Sequence, residues 1–187
     1  MNTRCQKIVR RVKNREGFTL IEMLIVIIIL GILAMVIIPQ ITVSQDDAKV
    51  STLKTNLGGI RSAIEIYYTQ HNNVYPGLVK ETDGTTATSS AAEATTAMNA
   101  QLQQFTDTTG KVSATKTGAF ILGPYIKDNK LPDNPFKDNV VLSDLAVVDI
   151  TAARTTDGTT GWKYLPKLGV FFANDGLASG GTNHSVY

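Results

Sequence analysis

An apolar stretch near the N-terminus constrains this chain more than any other feature. Residues 17–39 read G-F-T-L-I-E-M-L-I-V-I-I-I-L-G-I-L-A-M-V-I-I-P, and residues 18–38 are apolar except for Thr19 and Glu22. As a helix rising ~1.5 Å per residue the run covers ~31 Å, about the thickness of a bilayer's hydrocarbon core. A transmembrane segment is therefore expected. Its one ionisable group, Glu22, lies near its start, and a carboxylate at that depth needs a partner.

The residues before the run set its orientation. Arg4, Lys7, Arg10, Arg11, Lys13 and Arg15 are opposed only by Glu16. The positive-inside rule then leaves the N-terminus in the cytoplasm and sends the remainder out. An ordinary secretory signal would end in a small-x-small cleavage site. None is apparent, since Ile32 stands two positions before Ala34. A plain membrane anchor satisfies the hydropathy but explains neither Glu22 inside the segment nor Gly17 beside it.

The run Arg15, Glu16, Gly17, Phe18, Thr19, Leu20, Ile21, Glu22 resembles the processing signal of type IV pilins and type II secretion pseudopilins. The resemblance is strong over residues 15 to about 76 and weak beyond. It implies that a prepilin peptidase cuts between Gly17 and Phe18 and methylates the new N-terminal Phe18. The basic leader, residues 1–17, would be lost and the apolar segment kept. It also implies an assembly role for Glu22 and for Pro39, which match the carboxylate and the late proline of that family.

Processing would change the charge and the redox chemistry. Without residues 1–17 the side chains number 12 basic and 15 acidic, a net of −3 in place of +2. The basicity belongs to the leader, and nucleic-acid binding is not expected. Cys5 is the only cysteine and lies in that leader. The mature chain would have no disulfide, a departure from many type IV pilins that tilts the resemblance towards major pseudopilins.

Beyond Pro39 the apolar residues thin out to a stripe: Val50, Leu53, Leu57, Ile60, Ile64, Tyr67 and His71 recur every three or four positions. This predicts an amphipathic continuation of one helix from about Thr19 to about Asn72, loosened at Pro39 and at Gly58 and Gly59. Asn72, Asn73, Tyr75, Pro76 and Gly77 should end it. Residues 79–97, rich in Thr, Ser and Ala, read as a surface loop, with a short helix near 91–106 suggested by Met98, Leu102 and Phe105. Strands are expected over residues 120–126, 140–142, 145–151, 161–165 and 169–173. The turn at 131–136 and the pair of strands after it are similar to the closing region of major pseudopilins. No internal repeat is evident, and the tail after Gly176 should fray.

Catalytic motifs are absent: no Walker A, HExxH or GxSxG sequence occurs, and His71 and His184 fall at a helix end and in a polar tail. An enzyme is not expected, nor is any cofactor. Asp133, Asn134, Asp138, Asn139, Asp144, Asp149 and Asp157 gather in the last loops. Their oxygens suit calcium, which the resemblance makes a candidate ligand with no defined ligand set. Solvated loop carboxylates are the plainer reading.

The expected fold is α+β and pilin-like: one long N-terminal helix, membrane-spanning in its first half and amphipathic in its second, packed on a small antiparallel sheet. The expected divisions are leader 1–17, transmembrane and filament-core segment 18–39, and globular head 40–187. The resemblance implies a structural subunit of a type IV pilus-like or type II secretion pseudopilus filament, held in the bacterial inner membrane before assembly and periplasmic or extracellular after it. Its implied partners are copies of itself, the prepilin peptidase, an inner-membrane platform protein and an assembly ATPase. A minor or initiating pseudopilin acting as a binding module, and a plain membrane-anchored domain, are the alternatives.

Overall fold

The computed structural model describes residues 17–127, 130–138, 140–149, 155–179 and 181–187, without the side chains of residues 36–44. The leader up to Glu16, Asn139 and the Pro39 side chain therefore lie outside the described residues. The chain divides into two units, Met1–Ser44 and Gln45–Tyr187.

Helix α1 (Leu20–Gln70) is followed by α2 (Ala91–Gln103). The strands among the described residues are β1 (Phe105–Thr106), β2 (Val112–Ser113), β3 (Val141–Ser143), β4 (Trp162–Leu165), β5 (Val170–Ala173), β6 (Ala178–Ser179) and β7 (Thr182–Asn183), closed by a 3-10 turn (His184–Val186). The class is α+β, as expected. Helix α1 stops where two consecutive asparagines, Asn72 and Asn73, take positive φ angles of 53° and 61°. Asparagine tolerates that left-handed conformation better than most residues do.

The core of the second unit is the stripe read from the sequence. Leu53, Leu57, Ile60, Ile64 and Tyr67 are buried on α1 and pack with Met98 and Leu102 of α2 and with Trp162, Tyr164, Phe171 and Ala173 of the sheet. The sheet alternates as strands must. Trp162 and Tyr164 face this core, whereas Leu165 and Phe172 face a second cluster with Val147, Leu168 and Val170. Both faces of β4 are thus covered, and all four of its residues are buried.

The central sheet has the order β3-β4-β5. β4 and β5 form the expected antiparallel hairpin, with Tyr164 opposite Phe171. β3, however, lies parallel to β4, so the sheet is mixed rather than purely antiparallel. A parallel neighbour needs a crossover of about a dozen residues or more, and residues 144–161 supply it. The strand expected at 145–151 falls in this crossover. Its described part carries no strand, and an Asp144 turn accepting from the Ala146 N–H opens it.

Three other expectations are corrected. The helix near 91–106 ends at Gln103, because Phe105 and Thr106 pair with Ser113 and Val112. The Asp107 carboxylate closes that hairpin by accepting from Thr109, Gly110 and Lys111 N–H groups. Residues 120–126 form no strand beyond a single bridge from Leu122 to Thr106. The Tyr125 and Ile126 N–H groups instead donate to the Leu102 carbonyl, one of the unpaired acceptors at the end of α2. The tail does not fray: β6 and β7 pair, and His184 and Ser185 are buried.

The threonine-rich loop is likewise ordered by its own side chains. Asp83 accepts from the Thr85 and Thr86 N–H groups and from the Thr86 hydroxyl. Gly84 there has φ +71°, and a Cβ on it would collide with Thr109 Oγ1. The tetrad Asp-Gly-Thr-Thr recurs at 157–160, where Asp157 accepts from the Thr159 N–H and hydroxyl. Both tetrads use the same turn chemistry, an aspartate accepting from the threonines that follow it.

Candidate processing and assembly site

The start of α1 brings Thr19 and Glu22 together. Glu22 Oε2 accepts from the Thr19 N–H at 2.8 Å and from the Thr19 hydroxyl at 2.8 Å. The Thr19 hydroxyl in turn accepts from the Glu22 N–H at 3.3 Å. This is a capping box, in which residue and helix start satisfy each other's free donors. Thr19-x-x-Glu22 is legible as such, but a sequence reading that weighs Glu22 only as an intramembrane charge passes over Thr19. The carboxylate also sits in the first turn, where the helix dipole favours negative charge. Both of these donors fall on Oε2, and among the described residues none falls on Oε1.

Gly17 is exposed, and a Cβ built on it meets nothing within 4 Å. Among the described residues no packing explains a glycine there. Phe18 is 81% exposed beside it. Between Leu20 and Met35 the large apolar side chains are all exposed, from 45% at Val26 to 86% at Leu20. Among the described residues no helix is long and apolar enough to cross a membrane. The apolar run of the sequence continues to Ile38, into side chains that lie outside the described residues. α1 itself continues through Pro39.

The carboxylates of the last loops stand on exposed residues, Asp133, Asp138, Asp149 and Asp157, with Asp144 half-buried, and several of them also lock turns. Asp138 accepts from the Gly161 N–H and Asp144 from the Ala146 N–H, while Asp133 pairs with Lys130. Asn134 is buried and donates to the Gly161 carbonyl and to Asp175. The bonds from Thr159 hold the Asp157 carboxyl at about 2. Among the described residues no three His, Cys, Asp or Glu side chains stand together as a metal site.

The two histidines differ from expectation in burial. His71 lies at the end of α1, as read, but is buried and stacked 3.7 Å from the Tyr67 ring. Its Nδ1 donates to the Tyr67 carbonyl at 2.8 Å, which leaves Nε2 to accept from the Thr106 hydroxyl at 3.0 Å. His184 is equally buried, against Asp175.

Residues 12–38 match the family model of the prokaryotic N-terminal methylation motif. The chain is similar to the type II secretion system core protein G of Pseudomonas aeruginosa, 41% identical over 64 residues, or 34% of this chain and 44% of that protein. It is similar to a fimbrial protein of Neisseria meningitidis, 40% identical over 74 residues, or 37% of this chain and 44% of that one. The type IV narrow pilus major component of Thermus thermophilus is 33% identical over 103 residues, or 51% of this chain and 88% of that protein. The chain spans less than half the length of the type II secretion relatives it matches. No solved structure matches it. With the methylation motif at the start of α1 and most of a pilus subunit's length matched, this chain belongs to the family of type IV pilins and type II secretion pseudopilins.

Proposed function

We propose that this protein is a structural filament subunit, made as a precursor held in the inner membrane by the first part of α1 and assembled after cleavage between Gly17 and Phe18. One observation carries the reading. An apolar helix surface stands uncovered from Leu20 to Met35, and its only ionisable residue is locked into the first turn, five residues after an unpacked glycine. Exposed apolar surface on this scale marks a membrane or protein interface. Lipid covers it in the precursor, and copies of the same helix cover it in the fibre.

Cleavage would leave a positive amine on Phe18, one residue from the Thr19 N–H that already holds Glu22. In a staggered bundle the amine of a neighbouring subunit would meet the Glu22 carboxylate. An unpaired charge in an apolar core costs several kcal/mol, so registers that pair the two are favoured. The prepilin peptidase, an inner-membrane platform protein and an assembly ATPase are the partners this process requires.

The test is direct. Filaments sheared from cells and separated from membranes should contain a chain whose intact mass lacks residues 1–17 and carries one methyl group on Phe18. Assembled material that retains the basic leader would overturn the proposal. Replacing Gly17 with a bulky residue should trap the precursor in the membrane.

A further inference from the structure

The C-terminal hairpin holds a hydrogen-bonded series that the filament reading does not use. Ser179 Oγ lies 2.9 Å from His184 Nε2. On the other side of the ring His184 Nδ1 lies 3.0 Å from Asp175 Oδ1 and 3.1 Å from Oδ2. A carboxylate only accepts, so Nδ1 carries the proton, and in the neutral imidazole Nε2 presents a lone pair to the Ser179 hydroxyl. Asp175 is oriented in turn by the Leu177 N–H on Oδ1 and by Asn134 Nδ2 on Oδ2. The Phe136 ring packs 4.3 Å from the imidazole. The His184 and Asp175 side chains are each 1% exposed, whereas Ser179 is half-exposed on β6.

A hydroxyl on a base, and that base oriented by a buried carboxylate, is the arrangement that activates a serine nucleophile. We propose that Ser179 is a reactive serine that takes an acyl group from small activated esters, with His184 as its base and Asp175 positioning the imidazole. Ser179 Oγ attacks the ester carbonyl carbon as its proton passes to His184 Nε2. The new O–C bond forms, the bond to the leaving alcohol breaks, and the imidazolium returns the proton to that alcohol. The product is one O-acyl serine per chain, a self-modification independent of filament assembly.

The probe is p-nitrophenyl acetate on the full chain in detergent, read by intact mass and by peptide mapping. Ser113 serves as an internal reference, because its half-buried hydroxyl donates to the Thr115 carbonyl and accepts from the Thr115 N–H, and no base stands against it among the described residues. Ser179 should gain one acetyl group at least about 10²-fold faster than Ser113, the low end of what a positioned base contributes. His184→Gln should bring Ser179 down to the Ser113 rate, and Ser179→Ala should abolish the fast phase while leaving the Trp162 fluorescence unchanged. Acetylation of Ser179 no faster than Ser113 in the unaltered protein would overturn the proposal, whatever the variants do. So would an unchanged rate in a folded His184→Gln protein.

Discussion

Helix α1 carries apolar residues in two different ways. Between Leu20 and Met35 they lie all round the helix and are exposed, with Ile27 at 62% and Ile32 at 62%. From Leu53 to Tyr67 they keep to a stripe, and Leu53, Leu57, Ile60, Ile64 and Tyr67 are exposed by 1% or less. Periodicity accounts for the difference. A stripe can be covered by one packed face, here α2 and the β3-β4-β5 sheet. An apolar surface on every side has no such solution within one chain and calls for lipid or neighbouring helices. One helix therefore serves two environments, and substitutions in its two parts should have unrelated consequences.

The largest expected effect lies in the first part. Glu22→Ala should leave the second unit folded and cleavage after Gly17 intact, yet reduce sheared filaments to near zero while monomer accumulates in the membrane. Glu22→Gln should fail as well if charge sets the stagger. Filaments at normal yield from both variants would remove Glu22 from the assembly mechanism.

The second part should answer to stability instead. Leu57→Ala removes a fully buried side chain and should lower the unfolding free energy of the second unit by about 2–5 kcal/mol. Ile27→Ala, on the exposed surface, should leave that transition unmoved. Trp162 is the only tryptophan and lies in the core, so its fluorescence during denaturation reports the transition. Equal shifts from the two variants would mean that the helix does not divide this way.

Acid should separate the parts again, by a smaller margin. Burial lowers the His71 pKa below its ordinary 6.5, and the bond to the Tyr67 carbonyl and the charge of Asp107 oppose this only in part. The unfolded chain therefore takes up this proton first as pH falls. The stability linked to His71 is complete above about pH 6.5 and declines below it, because the unfolded state binds more protons there. Asp157, held at about 2, acts in the same direction in a lower window, beneath its ordinary 3.8. The melting temperature of the second unit should fall between about pH 7 and 5, and His71→Gln should flatten that slope. A slope unchanged by the substitution would assign it to other groups.

The elements legible in the sequence are those whose signal is a run of neighbouring residues. The stripe from Leu53 to His71 stands where the 3.6-residue repeat puts it, and the β4-β5 hairpin where two short apolar runs bounded by turn residues put it. The elements that were not legible depend on particular hydrogen bonds, which leave no repeating pattern in the sequence. β1 exists because Asp107 folds β2 back onto it. Residues 120–126 are apolar enough for a strand, but two of their N–H groups complete the end of α2. The tail is polar in composition and ordered by one buried pair, His184 with Asp175. At the proposed processing site the spacing of Gly17, Phe18 and Glu22 is readable, whereas the Thr19 contact that occupies Glu22 shows only in the fold.

The smallest effect concerns the same cap in the two units. Thr19-x-x-Glu22 opens α1. Ser90-x-x-Glu93 opens α2, where the Ser90 hydroxyl accepts from the Glu93 N–H and Glu93 accepts from the Ser89 N–H. Ser90→Ala should destabilise the second unit by about 1 kcal/mol, the usual value of a lost N-cap. Thr19→Ala should not shift that unfolding, because the residue belongs to the other unit. It removes the hydroxyl that donates to Glu22 but keeps the backbone N–H that donates to the same oxygen. One local donor then remains, and the charge that would pair with a neighbour's amine is untouched. Filament yield should stay close to normal. If Thr19→Ala abolished filaments as fully as Glu22→Ala, Glu22 would be acting through the helix cap. The pairing of its charge with a neighbouring subunit would then be the wrong account of assembly.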